Sequence, residues 1–190
     1  LYLAQMCRKA GVSYNASVWE IEMLDWIDEH LDFYKIGSGD LTAWPILQVF
    51  AKKNKPILLS TGLSTLQEVV DTVAFIQSVN PSYEDPNMLC LLQCTSMYPI
   101  PLSDANLNVM TTYRNETGLS VGYSDHTSNF EVSLAAVGMG AKFIEKHFTL
   151  SQCLPGPDHK ASLEPDELKS MVKAIRNLEL AMGDGQKFPQ

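Results

Sequence analysis

The sequence predicts an α/β fold built on a parallel sheet, and three observations carry that prediction. Short, near-continuous apolar runs alternate with helix-patterned stretches at spacings of roughly 20 to 35 residues, the rhythm of strand–helix units whose sheet is covered on both faces. Most of the apolar runs end in small polar or charged residues: Ser17, Lys35 with Ser38, Ser60-Thr61, Thr95-Ser96 and Ser124-Asp125-His126. Turn chemistry explains two or three such endings. Five in succession, on the edge where parallel α/β folds bind their ligands, favour a pocket. Third, residues 121–150 read as strand, polar turn, apolar helix, strand, with His126 just past the first strand and His147 inside the second. A (β/α)8 barrel, present as an incomplete fragment of six units, is the fold class these features point to; a whole barrel takes about 250 residues.

In chain order, residues 1–10 read as the tail of a helix stopped by Gly11. Residues 12–18 (VSYNASV) are a strand candidate ending at Ser17, and an acidic, tryptophan-bearing helix follows over about 20–30. Residues 33–40 (FYKIGSGD) form a strand running into a glycine-punctuated turn. A helix over about 44–53 carries Pro45 in its first turn, where the missing N–H costs nothing. Residues 56–62 (PILLSTG) are a buried strand, and Ser64 opens a Ser-x-x-Gln pattern that predicts a capping box for a helix reaching Val79. A loop with two prolines covers 80–87, a strand with its loop 88–99, and a helix about 107–115. Residues 119–123 are a strand, Asn129 is placed to cap a helix over 132–137, and Gly138 and Gly140 end it. A strand over 142–149 and a helix over 164–182, closed by Gly183, complete the chain.

A strand–helix–strand unit this short makes two neighbouring parallel strands. His126 and His147, 21 residues apart, then converge at one edge as a candidate divalent-metal site. The alternative is two unrelated histidines, one solvated and one in the core. Glu145 shares the face of His147 by strand alternation; it orients a ligand or lines the sheet structurally.

Bulk properties narrow the function. With 190 residues, 45% of them hydrophobic, the chain can bury the core of one domain. No window approaches the ~18 uncharged apolar residues of a membrane span. A net charge of −8 argues against general nucleic-acid affinity. Cys7, Cys90, Cys94 and Cys153 form no CxxC pair, which suits a reduced, cytoplasmic setting. The opening Leu-Tyr-Leu-Ala-Gln-Met has neither an initiator Met nor a signal segment and reads as the interior of a longer protein.

In this order, KIGSGD, LSTG, QCTSMYP, GYSDHT, EKHFT and GPDHKASLEP resemble the sialic acid synthase family, whose members condense phosphoenolpyruvate with N-acetylmannosamine or a related amino sugar. The resemblance implies that residues 1–190 are units three to eight of a (β/α)8 synthase barrel, with the first two units and a C-terminal antifreeze-like domain absent. It implies a divalent metal on His126 and His147, manganese first, with magnesium or cobalt as alternatives. Lys35, Ser38, Ser60 and Ser124 match phosphoenolpyruvate contacts, since one lysine and short hydroxyls suit a phosphate and a carboxylate. Ser17 matches a hydroxyl at the end of the third strand, although ASVW departs from the usual STPW or STPF. Asp40, Asp158 and Tyr98 match amino-sugar contacts, and Ser96 stands where several members carry asparagine. His159 and Lys160 are read as a solvated loop, and His30 and the cysteines as structural. A water-activating carboxylate, a second lysine and an arginine from the other subunit of a domain-swapped homodimer are implied to lie outside the chain. Legionaminic and pseudaminic acid synthases are the nearest alternatives. A metal-dependent pyruvate aldolase and a non-catalytic barrel are more distant ones.

Overall fold

The computed structural model describes residues 1–187. The chain divides into two compact units, Leu1–Leu92 with Thr111–Ser120, and Gln93–Met110 with Val121–Gln190.

In the first unit, α1 (Tyr2–Lys9) leads through an irregular stretch and a broken helical segment, α2 (Leu24–Ile27), to β1 (Tyr34–Ile36). Then come α3 (Trp44–Lys53), β2 (Ile57–Ser60), α4 (Leu66–Val79) and β3 (Leu89–Gln93). All pairings are parallel: Lys35 stands opposite Leu58, and Leu58 opposite Cys90. Since side chains alternate along a strand, Lys35, Leu58, Ser60, Cys90 and Leu92 share one face, where Leu58, Cys90 and Leu92 pack with Phe33 as an apolar cluster. The other face takes Tyr34, Ile36, Ile57, Leu59, Leu89 and Leu91, all buried. Pro45 starts α3 and Asn54 ends it in the left-handed conformation (φ 59°). Val69, Thr72, Val73 and Ile76 make one buried stripe on α4, the spacing of a helix packed on a sheet.

The second unit contains β4 (Ser120–Asp125), α6 (Glu131–Gly138), β5 (Ile144–Lys146) and the long α7 (Pro165–Met182); α5 (Asn108–Thr117) precedes β4 in the chain. β4 and β5 are parallel, with Ser124 opposite Glu145 and Asp125 opposite Lys146. Glu164 and Glu167 form a capping box at the start of α7, and Gly183 (φ 60°) lies at its end.

Several expectations need correction. Residues 12–18 form no strand, and Ser17 is exposed. Side chains tie this stretch down instead: Ser13 Oγ donates to Asp32 (2.6 Å) and Asn15 Nδ2 to the Phe33 carbonyl (2.9 Å). Short polar side chains that bond nearby groups compete with a ladder, and five residues between Val12 and Val18 dilute the apolar signal. The helix expected over 20–30 is broken into two tight turns around α2, though Leu24, Ile27 and Leu31 still enter the core. The cap of α4 is Thr65 with Glu68, one residue past the predicted box; Thr65 Oγ1 accepts from Glu68 N and Glu68 from Thr65 N. Phe130, not Asn129, holds the N-cap position of α6, without a side-chain cap. The last predicted strand shrinks to three residues, so His147 follows β5 and is not inside it. Among the described residues there are five strands where six were predicted, all with parallel pairing inside their units. No helix among the described residues is long and apolar enough to cross a membrane.

Candidate active site

The first unit assembles a cationic, hydroxyl-rich corner at the carboxyl ends of β1 and β2. Lys35 and Ser60 face the same side, and Lys35 Nζ donates to Ser60 Oγ (2.8 Å) and to the Ile36 carbonyl (3.3 Å). A tight turn over Ser38–Asp40 follows β1 at once. Gly62 N donates to Ser38 Oγ (3.0 Å), tying this turn to the one after β2. Asp40 is half-buried in the same turn. Behind Ser60, Thr61 Oγ1 donates to the Leu92 carbonyl (2.9 Å) and accepts from the buried Tyr113 hydroxyl (3.0 Å). Thr61 is among the polar strand endings the sequence shows, but Tyr113 carries no such signal, because its meeting with Thr61 spans 52 residues.

In the second unit the two histidines come together. Their ring centroids lie 5.4 Å apart, nearly edge to face at 80°, and the Tyr98 ring contacts both, at 4.2 Å from His126 and 5.1 Å from His147. His126 is 5% exposed. Its Nδ1 stands 2.7 Å from the Thr95 carbonyl, which can only accept, so Nδ1 carries the proton and the neutral ring keeps its lone pair on Nε2. Burial pushes the His126 pKa down, against the Thr95 carbonyl bond, which favours the charged form. His126 Nε2 lies 3.3 Å from Ser124 Oγ, which itself donates to Glu145 Oε1 (2.6 Å). Glu145 thus belongs to this constellation, as strand alternation from His147 indicated. The Tyr98 hydroxyl pKa is raised, first by burial and then by the negative groups Cys94, Asp158 and Glu145 around it. Asp158 itself lies on an exposed loop. Ser96 is half-buried two residues before Tyr98. His159 is not simply solvated: its Nδ1 stands 2.7 Å from Thr149 Oγ1.

The structure therefore groups Lys35, Ser38, Asp40 and Ser60 in one unit, and Ser96, Tyr98, Ser124, His126, His147 and Asp158 in the other. Ser17 lies in the first unit and is exposed. His126 and His147 are the residues suited to a metal ion. The backbone-carbonyl bond that fixes the His126 tautomer and bares Nε2 is the usual support of a ligating imidazole. Among the described residues no cluster of three or more His, Cys, Asp or Glu stands ready to hold an ion, so the protein side of such a site is this pair.

Each unit thus carries its polar groups at the carboxyl ends of its own parallel strands, a lysine with hydroxyls in the first and paired imidazoles in the second, and that end of a strand is where parallel α/β folds bind small ligands. The NeuB family model matches residues 1–187, and the chain belongs to that family. It is 42% identical over 181 residues to the N,N'-diacetyllegionaminic acid synthase of Campylobacter jejuni, covering 95% of this chain and 53% of that protein. The enzyme of the same name from Legionella pneumophila is 43% identical over 190 residues, covering 98% of this chain and 52% of that protein. The crystal structure of N-acetylneuraminic acid (sialic acid) synthetase from Leptospira borgpetersenii, in complex with citrate, superimposes with a TM-score of 0.89 at 29% identity, over all of this chain and 65% of that one. The chain spans about half the length of the curated relatives it matches.

Proposed function

We propose that the protein of which this chain is a part condenses phosphoenolpyruvate with N-acetylmannosamine or a related amino sugar, giving a sialic-type nonulosonic acid and phosphate. The observation that carries the proposal is the histidine pair, with His126 held neutral and its Nε2 bared beside His147. Family membership supports the same reading. In the fold, the strand–helix units are read as units three to eight of a (β/α)8 barrel.

A divalent ion held by His126 and His147, manganese first and magnesium or cobalt as alternatives, would supply Lewis acidity toward the aldehyde oxygen of the open-chain sugar. Lys35 with Ser38 and Ser60 binds the phosphate and carboxylate of phosphoenolpyruvate, combining charge with directed hydrogen bonds. Ser124 takes part in the same recognition. Asp40, Tyr98, Ser96 and Asp158 orient the sugar hydroxyls and amide. Carbon 3 of phosphoenolpyruvate forms a bond to the sugar aldehyde carbon, water adds at carbon 2, and phosphate leaves with cleavage of the carbon–oxygen bond. Holding both reactants in line contributes much of the rate. Ser17 stays in the proposal only as a ligand contact that the full-length protein would have to bring in, since it lies exposed here.

A second reading changes the sugar alone: a diacetamido sugar giving a legionaminic-type product, favoured by the 42% and 43% identities to synthases of that name. The same proposal has the full-length protein working in the cytoplasm as a domain-swapped homodimer. The test is phosphate release by the full-length enzyme with phosphoenolpyruvate, Mn²⁺ and a panel of amino sugars. Release that depends on a mannosamine-type or diacetamido sugar is expected. Turnover of pyruvate in place of phosphoenolpyruvate would overturn the synthase in favour of an aldolase.

A further inference from the structure

We infer that Asp125 and Lys146 are positioning residues that lock the register of β4 against β5 and thereby set the spacing of His126 and His147. Each stands one residue before a histidine, and the two are register partners across the strands. By alternation their side chains lie on the face opposite Ser124 and Glu145, so they act from behind the constellation and not within it. Both side chains are buried, at 0% and 2% exposure.

The contacts bracket the histidines. Lys146 Nζ lies 3.5 Å from Asp125 Oδ2 and donates a short hydrogen bond to the Thr127 carbonyl. Asp125 Oδ1 accepts from Thr127 N (2.8 Å) and Thr127 Oγ1 (2.7 Å), and Oδ2 accepts from Ser133 Oγ on α6 (2.5 Å). The residues on either side of His126 are thus clamped to each other, to the helix that follows, and to the residue preceding His147.

Two physical arguments make this a register device. A buried ion pair is a poor source of stability, because desolvating both charges offsets most of their attraction; such pairs are best explained where they specify one arrangement. The arrangement here needs specifying. β5 has only three residues, of which Ile144 alone is apolar, so no inside–outside hydrophobic contrast fixes its register. A slip of one residue would turn His147 to the opposite face. The pair excludes that slip, since it would bury Lys146 and Asp125 apart from each other.

The inference rests on the two-histidine metal site proposed above, and its test reads metal binding apart from turnover. In the full-length protein, Co²⁺ binding is measured by calorimetry and by the Co²⁺ absorption spectrum, at a temperature where melting curves show each variant folded. Lys146→Met and the charge-balanced Asp125→Asn/Lys146→Met are expected to bind Co²⁺ about tenfold or more weakly, the scale of lost outer-shell support, with an altered spectrum. Lys146→Arg, which keeps charge and donors, restores most of the affinity. Ser133→Ala, a mild change on α6, covers the case in which the charge variants fail to fold; it weakens binding several-fold. Affinity within twofold of wild type and an unchanged spectrum in the double variant or in Ser133→Ala overturn the register lock alone. A wild-type protein that takes up no Co²⁺ overturns the metal site and the lock with it.

Discussion

Asp28 in the first unit and Asp125 in the second each stand beside lysine, in opposite surroundings. Asp28 meets Lys55 (2.9 Å), Lys53 (3.4 Å) and the buried Tyr34 hydroxyl (2.5 Å), and the side chains of Asp28, Lys53 and Lys55 keep 23% to 37% of their surface in water. Lys55 also donates to the carbonyls of Asp28 and Leu31. Asp125 and Lys146 are dry. Water screens the first pair and offers each group a substitute if its partner is lost. The second pair has no substitute, so breaking it strands a charge in the interior. In the first unit the edge ahead of β1 is thus closed by a tolerant, redundant network; in the second unit the edge that carries the histidines is closed by an intolerant one.

The largest effect is expected at the histidines that the intolerant edge supports. Replacing His126 or His147 with alanine in the full-length protein removes one of the two nitrogen donors of the proposed metal site, and turnover is expected to fall by about a thousandfold or more, ~4 kcal/mol of barrier. Phosphate release and metal titration check this. Either variant retaining near wild-type activity in the presence of a chelator would break the assignment.

Next come the two pairs themselves. Lys146→Ala leaves Asp125 buried without a counter-ion, held only by the neutral donors of Thr127 and Ser133, and costs about 3–5 kcal/mol of stability. Asp28→Asn, with water and three other donors at hand, costs about 1 kcal/mol. Urea unfolding of the full-length variants measures both. Equal losses would erase the contrast between the two edges.

How far the sequence reveals this depends on the range of each interaction. Helix α3, strand β2 and helix α7 are legible because their signals are local: Pro45 at one helix start, an apolar run ending in Ser60-Thr61, Gly183 past the last turn. The Lys35–Ser60 corner and the meeting of His126 with His147 are legible as neighbours, because strand ends in a parallel sheet gather at one edge. The His126 tautomer is not, since it depends on the backbone carbonyl of Thr95, 31 residues away. Residues 12–18 resemble a strand in sequence because Val12 and Val18 suggest β structure, while Ser13 and Asn15 between them bond to Asp32 and Phe33. The Asp125–Lys146 pair is spaced like the two histidines and alternates with them, but spacing alone does not show that the two side chains meet, which depends on the register of β4 against β5.

A smaller, divided effect is expected at the Lys35–Ser60 corner proposed to bind phosphoenolpyruvate. Lys35→Met should raise the KM for phosphoenolpyruvate about ten- to a hundredfold, ~1.4–2.7 kcal/mol, and move the KM for the sugar little. Asp40→Ala should do the reverse. Steady-state kinetics with each substrate varied in turn would show an equal effect on both if the corner has been divided wrongly.

The smallest effect is a pH and salt signature that separates the wet pair from the dry one. Burial alone would raise the Asp28 pKa, but the Tyr34 hydrogen bond and the charges of Lys55 and Lys53 outweigh it and hold the carboxyl below its ordinary value. A carboxyl with a folded pKa below its unfolded one binds more protons when unfolded. Its contribution is therefore complete above the unfolded value, near 3.9, and is lost as pH falls through the folded value. The stability gap between wild type and Asp28→Asn should stay level from about pH 7 to pH 5 and close below about pH 4. Raising salt to about 1 M, where the screening length is ~3 Å, should narrow the same gap at neutral pH. The gap between wild type and Lys146→Ala should not respond to salt, because no ions reach a pair with 0% and 2% exposure. Urea midpoints across pH and salt read both gaps. A salt response as large for Lys146→Ala as for Asp28→Asn would mean that water reaches the buried pair, and the distinction between the two edges would fail.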